Sequence, residues 1–366
     1  MTVQKHSDSE FRPAPPEGPR GRGTGLRPDS RFARQKRESV VDDGFDDRSV
    51  AVATELFVDT ARTVITFNRS PDVPFDRSIN PYRGCEHGCI YCYARPSHAW
   101  LDLSPGLDFE TKIGWKPDAP ATLRRELARR GYACAPITFG ANTDAWQPVE
   151  RRLGLTRKLL EILAETRHPF TVVTKSAAIE RDIDLLADMA RDDLVQVMFS
   201  VTTLDDELAR RMEPRAPRPA RRLEAMRALA SAGIPVGVLF APLIPALNDH
   251  EMEAVLEAAH VAGAESAGYV LLRLPHELEA LFTDWLESHY PGRARHVLSV
   301  LAQMRGGRGN DPRFGHRMRG NGVFADLYRQ RMHRCCERLG LNRTRRKLDT
   351  TRFRPPREDS GQLSLL

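Results

Sequence analysis

The segment Cys85-Glu86-His87-Gly88-Cys89-Ile90-Tyr91-Cys92 gathers three of the chain's six cysteines into a C-x3-C-x2-C triplet. Thiolates are soft donors. Three of them on one short loop suit three irons of a [4Fe-4S] cube and leave the fourth iron without a protein ligand, open to a small molecule. A structural zinc site is the alternative, with His87 or Cys134 completing a Cys3His set. Closed zinc sites usually pair two ligand clusters, however, and no second C-x2-C occurs in the chain. A disulfide framework fits poorly, because 366 residues with six cysteines lie far from the small, cysteine-dense class.

The spacing, with Tyr91 just ahead of the last cysteine, resembles the radical S-adenosylmethionine (SAM) superfamily. The resemblance implies that SAM chelates the open iron through its amino and carboxylate groups, with Tyr91 beside the adenine. It implies also that an electron from the reduced cluster cleaves SAM to methionine and a 5'-deoxyadenosyl radical, which takes hydrogen from a substrate; the cofactor supplies the reactivity and the protein the orientation. Within the superfamily, Ser78-Ile79-Asn80-Pro81-Tyr82-Arg83-Gly84-Cys85 and Tyr91-Cys92-Tyr93 are similar to the spore photoproduct lyase branch, which repairs a cross-linked thymine dimer. The longer stretches from Pro74 to Cys89 and from Ser104 to Glu110 look like an uncharacterised bacterial group of that branch, often labelled DNA repair photolyases. The resemblance runs from about Asp72 to Pro275.

Carried onto this sequence, the resemblance gives further positions a role. Asn142-Thr143-Asp144 would hold the SAM amino group, with an Asx turn as the plainer reading. Lys175 would set an ammonium near the SAM carboxylate, and a snorkelling lysine is its rival. Ser200 and Thr202 would bond the ribose or the methionine end, unless they bond neighbouring backbone. Arg215, in Glu213-Pro214-Arg215, would reach a carboxylate or a phosphate. One departure stands out: the lyases carry a hydrogen-donating cysteine at the end of the second strand, where this chain has Ala141 or Asn142. Tyr82, Tyr93 and Cys134 are the candidates to quench a substrate radical in its place. The vicinal pair Cys335-Cys336 is a weaker one, because it falls in an ordinary helical pattern.

From Thr60 onward, β-rich runs alternate with amphipathic helical patterns, the signature of βα units around a parallel sheet. Strands are expected over 77–83, 136–141, 170–174, 195–201, 235–241 and 268–274. Helices are expected over 153–166, 179–190, 218–232 and 249–262. Six units give an α/β fold, the partial (βα)6 barrel implied by the resemblance, with the cysteine loop after the first strand and the site at the C-terminal strand ends. The expected organisation is a disordered basic tail over 1–50, the barrel over 51–275, a helical extension over 276–342 and a basic flexible tail over 343–366.

The formal charge is +6, with arginines crowded at both ends of the chain, a pattern that suits DNA and equally a solvated tail. Gln362-Leu363-Ser364-Leu365-Leu366 looks like the peptide that docks on the bacterial sliding clamp. No run approaches the roughly 18 apolar residues of a membrane span, and the charged start predicts a cytoplasmic protein with no membrane partner. The expectation is therefore a radical SAM enzyme with a [4Fe-4S] cluster and SAM, fed by flavodoxin or ferredoxin and acting on DNA. RNA or protein modification is an alternative, as is a non-catalytic DNA- or clamp-associated module with a structural metal.

Overall fold

The computed structural model describes residues 21–32, 52–344 and 346–356. Ten strands are present: β1 (Glu55–Val58), β2 (Ile65–Phe67), β3 (Arg77–Ile79), β4 (Tyr82–Arg83), β5 (Lys112–Trp115), β6 (Ile137–Phe139), β7 (Phe170–Thr174), β8 (Val195–Ser200), β9 (Val236–Leu243) and β10 (Ser266–Leu271). Seven of them form one sheet in the order β10-β9-β8-β7-β6-β3-β2. The six from β3 to β10 are parallel, and β2 is added antiparallel to β3. Consecutive parallel strands lie side by side because a helix returns the chain after each one, which is the (βα)6 order expected. No pairing closes the sheet among the described residues.

The strands are apolar because both faces are covered. Phe139, Phe170, Phe199 and Phe240 bring one buried aromatic ring from each of four successive strands. The outer helices bury one stripe apiece, as Leu155–Glu165 does with Leu155, Leu159, Leu160, Ile162 and Leu163. Helix starts are marked locally: Asp205 accepts from the amides of Glu207 and Leu208 to open Asp206–Met212, and Pro219 sits in the first turn of Pro219–Ser231.

The first expected strand is broken at Asn80-Pro81, since proline cannot donate to a central ladder. Beyond it, Tyr82–Arg83 leaves the large sheet for a small one of order β1-β5-β4, which carries the cysteine loop away from the barrel wall. The free edge of β10 is capped by the C-terminal region. The Asn342 side chain accepts from the Ala267 amide and donates to its carbonyl, each at 2.9 Å, and Leu271 N donates to Met318 O. Helices Leu278–His289, Pro291–Gln303 and Val323–Leu339 make up the extension.

Within each expected tail the described part is held to the fold. Residues 21–32 are packed: Leu107 N donates to Leu26 O, Ser104 Oγ to Pro28 O and Ser30 Oγ to Ala99 O. Residues 346–356 run along the barrel, tied by Arg346 to Glu265 and by Arg354 N to Thr166 O. Expected as part of a flexible arm, Phe353 instead packs on Tyr132 and His168, at 5.3 and 5.2 Å between ring centroids. In both segments, scattered residues find partners that no local period reveals. The clamp-like segment Gln362–Leu366 lies outside the described residues. Among the described residues no helix is long and apolar enough to cross a membrane.

His168 ties this C-terminal run to the barrel and is itself fully buried. Its Nδ1 faces the Pro169 carbonyl at 2.9 Å and therefore carries the proton, leaving Nε2 to accept from the Tyr132 hydroxyl at 2.8 Å. Burial holds the imidazole down at about 4. A neutral buried histidine stabilises the fold above its unfolded pKa of about 6.5, and that contribution is lost as pH falls toward the folded value. Urea titrations between pH 7.5 and 4.5 are expected to show a loss of about 2.5 kcal/mol from this group. His168→Gln should flatten the slope, and an unchanged slope would contradict the assignment.

Candidate active site

The cysteine loop sits at the C-terminal ends of the parallel strands, between two ion pairs closed from solvent. On one side is Glu213, which accepts hydrogen bonds from the Tyr91 hydroxyl, from Thr202 Oγ1 at 2.9 Å and from Arg222 Nη2. Arg222 also donates to the carbonyls of Pro217 and Ser200, at 2.8 and 3.1 Å. Glu213 and Arg222 are 2% and 1% exposed, so neither charge has water to fall back on. Burial opposes the Glu213 carboxylate, but Arg222 and Lys175 outweigh it and hold its pKa below the usual value. Ile90 N donates to Met212 O, fastening the loop a second time to the same turn.

On the other side Arg95, fully buried, donates to the carbonyls of Cys89 at 2.9 Å, Gly88 at 3.0 Å and Gly106 at 2.9 Å. Its charge meets Glu110 at 2.5 Å, and Glu110 accepts also from Gly23 N at 2.8 Å. Arg22 donates to Glu110 O and to Val52 O. The N-terminal segment thus lies directly on the loop. A Cβ on Gly23 would stand 1.9 Å from Gly88 O, and Gly88 itself adopts φ 68 against the Glu110 carboxylate, so both glycines are needed.

Cys85 and Cys89 are buried, and Cys92 is half-buried. Burial first, and then the nearby Asp144 charge, pushes the Cys85 thiol well above its usual pKa; burial pushes Cys89 up to about 12. Such thiols stay protonated until a metal replaces the proton. Among the described residues no three Cys, His, Asp or Glu side chains come together around one metal ion. A cube takes one thiolate at each of three irons, which three cysteines on one loop can supply. His87 is buried with Nδ1 unpaired, 3.5 Å from Asp144 Oδ2, and Cys134 lies ahead of β6 at the opposite strand end.

The residues expected around SAM divide into two groups. Lys175 follows β7 directly, and its Nζ stands 5.6 Å from the centre of the Tyr91 ring. Burial works against its ammonium, but the Cys89 and Glu213 charges raise its pKa overall, and no carboxylate pairs with it among the described residues. Asn142 uses only its backbone amide, on Asn80 Oδ1 at 2.9 Å, which leaves its side chain available. The other positions are already engaged. Thr143 Oγ1 donates to Tyr82 O, and Asp144 accepts from Thr174, Lys175 N and Trp146 N in an Asx turn. Ser200 donates to Ala241 O, Thr202 to Glu213, and Arg215 pairs with Glu86 at 3.3 Å. These groups thus meet protein partners at the loop and the strand ends, as their plainer readings expected.

The candidate radical quenchers lie in different surroundings. Tyr82 is fully buried and donates to Glu150, and Cys134 is remote from the loop. Tyr93, the residue after Cys92, is half exposed, with its hydroxyl on the Ala141 carbonyl. Cys335 and Cys336 are buried in the helix Val323–Leu339. Arg222, Arg95 and Glu110 were not singled out by sequence, because a charge at a helical or loop position reads as surface until its burial is known.

Residues 79–259 match the radical SAM superfamily, and the chain carries a radical SAM domain over that span. The family implies a [4Fe-4S] cluster and SAM, and the three thiols on one loop, two buried and one half-buried, fit the cluster. An uncharacterized protein of Mycobacterium tuberculosis (strain ATCC 25618 / H37Rv) is 35% identical over 221 residues, which cover 60% of this chain and 65% of that one. An uncharacterized protein of Methanocaldococcus jannaschii is 26% identical over 213 residues, covering 58% of this chain and 76% of its own length. The match therefore spans less than two thirds of the mycobacterial relative. Among solved structures, spore photoproduct lyase complexed with dinucleoside spore photoproduct superposes with a TM-score of 0.56 at 18% identity, covering 78% of this chain and 80% of that chain. The likeness is one of fold.

Removing one partner of a buried ion pair strands the other charge, at a cost of about 3–5 kcal/mol, whereas removing both does not. Arg222→Ala is expected to lower unfolding free energy by that amount. The double variant Glu213→Leu with Arg222→Met should recover much of the loss. A single variant costing under about 1 kcal/mol would show that the pair does not hold the loop.

Proposed function

We propose that the chain is a cytoplasmic radical SAM enzyme that cleaves SAM reductively and acts on DNA. When bound, the cluster and SAM supply one-electron cleavage to methionine and a 5'-deoxyadenosyl radical, with the electron from a flavodoxin or ferredoxin. The observation that carries this reading is the Cys85, Cys89 and Cys92 loop, set among buried charges at the strand ends and offering three thiols where a cube takes four ligands.

The chain's own residues orient the reaction. Cys85, Cys89 and Cys92 would hold three irons. The unpaired ammonium of Lys175 would take the SAM carboxylate, and the free side chain of Asn142 its amino group, two contacts that fix SAM against the open iron. Tyr91, locked by Glu213, would wall the adenine. The paired acids and bases around the loop hold these groups without taking part in proton transfer, and the apolar packing of Cys85 with Ala94 and Phe109 helps keep water from the metal.

DNA as substrate is supported by the fold shared with spore photoproduct lyase and by the basic segments, and the half-exposed Tyr93 would return hydrogen to a substrate radical. Gln362–Leu366 would tether the enzyme to a sliding clamp encircling that DNA. Deleting those five residues should abolish binding to the host clamp in surface plasmon resonance, and absence of binding by the intact chain would end the tether reading.

Anaerobically reconstituted protein, reduced with dithionite, is expected to convert SAM to 5'-deoxyadenosine. Cys85→Ala, Cys89→Ala and Cys92→Ala should each abolish both iron-sulfur absorption and cleavage, while Cys335→Ala and Cys336→Ala keep both. Lys175→Ala should retain the cluster yet bind SAM more weakly by about 1.5–3 kcal/mol, the range for a charge-assisted contact. No 5'-deoxyadenosine from cluster-replete protein would overturn the proposal. Steady SAM cleavage with no change in any of a panel of ultraviolet-damaged oligonucleotides would overturn the DNA part alone.

A further inference from the structure

A guanidinium without an anion stands at the mouth of the barrel. Arg273 follows β10, two residues past its end, and its Cζ lies 5.8 Å from the centre of the half-exposed Tyr93 ring. Its Nε is buried and makes no hydrogen bond, and its Nη1 meets only the Met318 sulfur at 3.7 Å. No carboxylate forms a close ion pair with it among the described residues, and the Asp72 charge that acts on it is already paired with Arg317. An arginine carries five donors in a planar fork, and leaving them unmade in a partly closed site is costly.

The surroundings add to the demand for an anion. The segment 305–320 carries five arginines, Arg305, Arg308, Arg313, Arg317 and Arg319, against the single acid Asp311. It is fixed across the end of β10: Arg305 donates to the carbonyls of Leu271, Leu272 and Arg317, and Arg317 pairs with Asp72 at 2.5 Å. Arg317 also lies 4.6 Å from the centre of the Phe314 ring, which is 57% exposed. Tyr93, Arg273, Arg317 and Phe314 thus form a strip that places two neighbouring guanidinium groups between two aromatic rings, beginning at the residue after Cys92.

We propose that this strip is a subsite for one strand of nucleic acid, in which Arg273 takes a backbone phosphate while neighbouring bases stack on Tyr93 and Phe314. It rests on the nucleic-acid reading given above and names the surface that would serve it. A carboxylate from an acidic peptide would satisfy Arg273 alone. It would leave two exposed ring faces, each paired with a cation, without a role, whereas base stacking interleaved with phosphate contacts uses both. The strip's place beside the cysteine loop would deliver a base held by Tyr93 to the reactive centre.

The test uses the full chain and a fluorescein-labelled 12-mer of deoxythymidine, with binding read by fluorescence anisotropy from 50 to 200 mM salt. Arg273→Gln is expected to weaken binding about tenfold and to reduce the log–log salt slope by about 0.7, one single-strand phosphate contact. Arg273→Lys should recover most of the slope, and Phe314→Ala should weaken binding while leaving the slope unchanged. Circular dichroism melts of each variant separate a binding loss from unfolding; if Arg273→Gln melts early, Arg273→Lys and Phe314→Ala carry the comparison. Equal affinity and slope for intact chain and Arg273→Gln would overturn the subsite while leaving the nucleic-acid reading in place. Failure of the intact chain to bind the oligonucleotide would overturn both. Thymidine monophosphate competing as tightly as the 12-mer would assign the strip to free nucleotide and overturn the strand proposal.

Discussion

The ion pair between Glu213 and Arg222 is the constraint on which the site depends. A short loop of fourteen or so residues that must present three thiols has little local structure of its own; here it borrows rigidity from a carboxylate it touches through Tyr91. Because Glu213 also takes Thr202 and Arg222, one buried acid joins the cysteine loop, the end of β8 and the helix Pro219–Ser231. Charges this deeply buried are seldom a source of net stability against an apolar alternative. Their use here is directional, since a satisfied charge has one geometry, whereas an apolar contact tolerates several.

The same logic repeats on the opposite wall with a different pair. Arg95 distributes its donors over the carbonyls of the loop and returns its charge to Glu110, which the N-terminal segment then covers. Between the two walls, burial raises the pKa of the Cys85 and Cys89 thiols, so these two carry little negative charge without a metal. Lys175, and behind it Arg222, bias this medium toward anions, the sign required for a thiolate-bound cluster and for a carboxylate ligand.

The barrel was legible in the sequence because its strands are short β-branched and aromatic runs separated by amphipathic helices with the period of 3.6. Phe170–Thr174 and Leu155–Glu165 need no tertiary information to be seen. The cysteine triplet was equally plain, since its spacing is a statement about chemistry. What escaped was whatever depends on distant partners. Arg77 to Arg83 reads as one strand, yet Asn80-Pro81 divides it between two sheets. Residues 21–32 and 346–356 have tail-like composition but are held by Glu110, Leu107, Thr166 and His168. Asp144, Ser200, Thr202 and Arg215 have the side chains a SAM ligand needs, and each also has a protein partner that the sequence did not show. The polar residue that binds a ligand and the one that positions it are alike in sequence, and only their hydrogen-bond partners separate them.

The central claim is that three thiols of this loop hold a cube whose remaining iron takes SAM. Electron-nuclear double resonance on the reduced, cluster-loaded protein, with SAM labelled by oxygen-17 in its carboxylate and nitrogen-15 in its amine, addresses that bond directly. The account predicts hyperfine coupling from both labels to the cluster spin. A full complement of iron and sulfide with saturating SAM and coupling from neither label would contradict it.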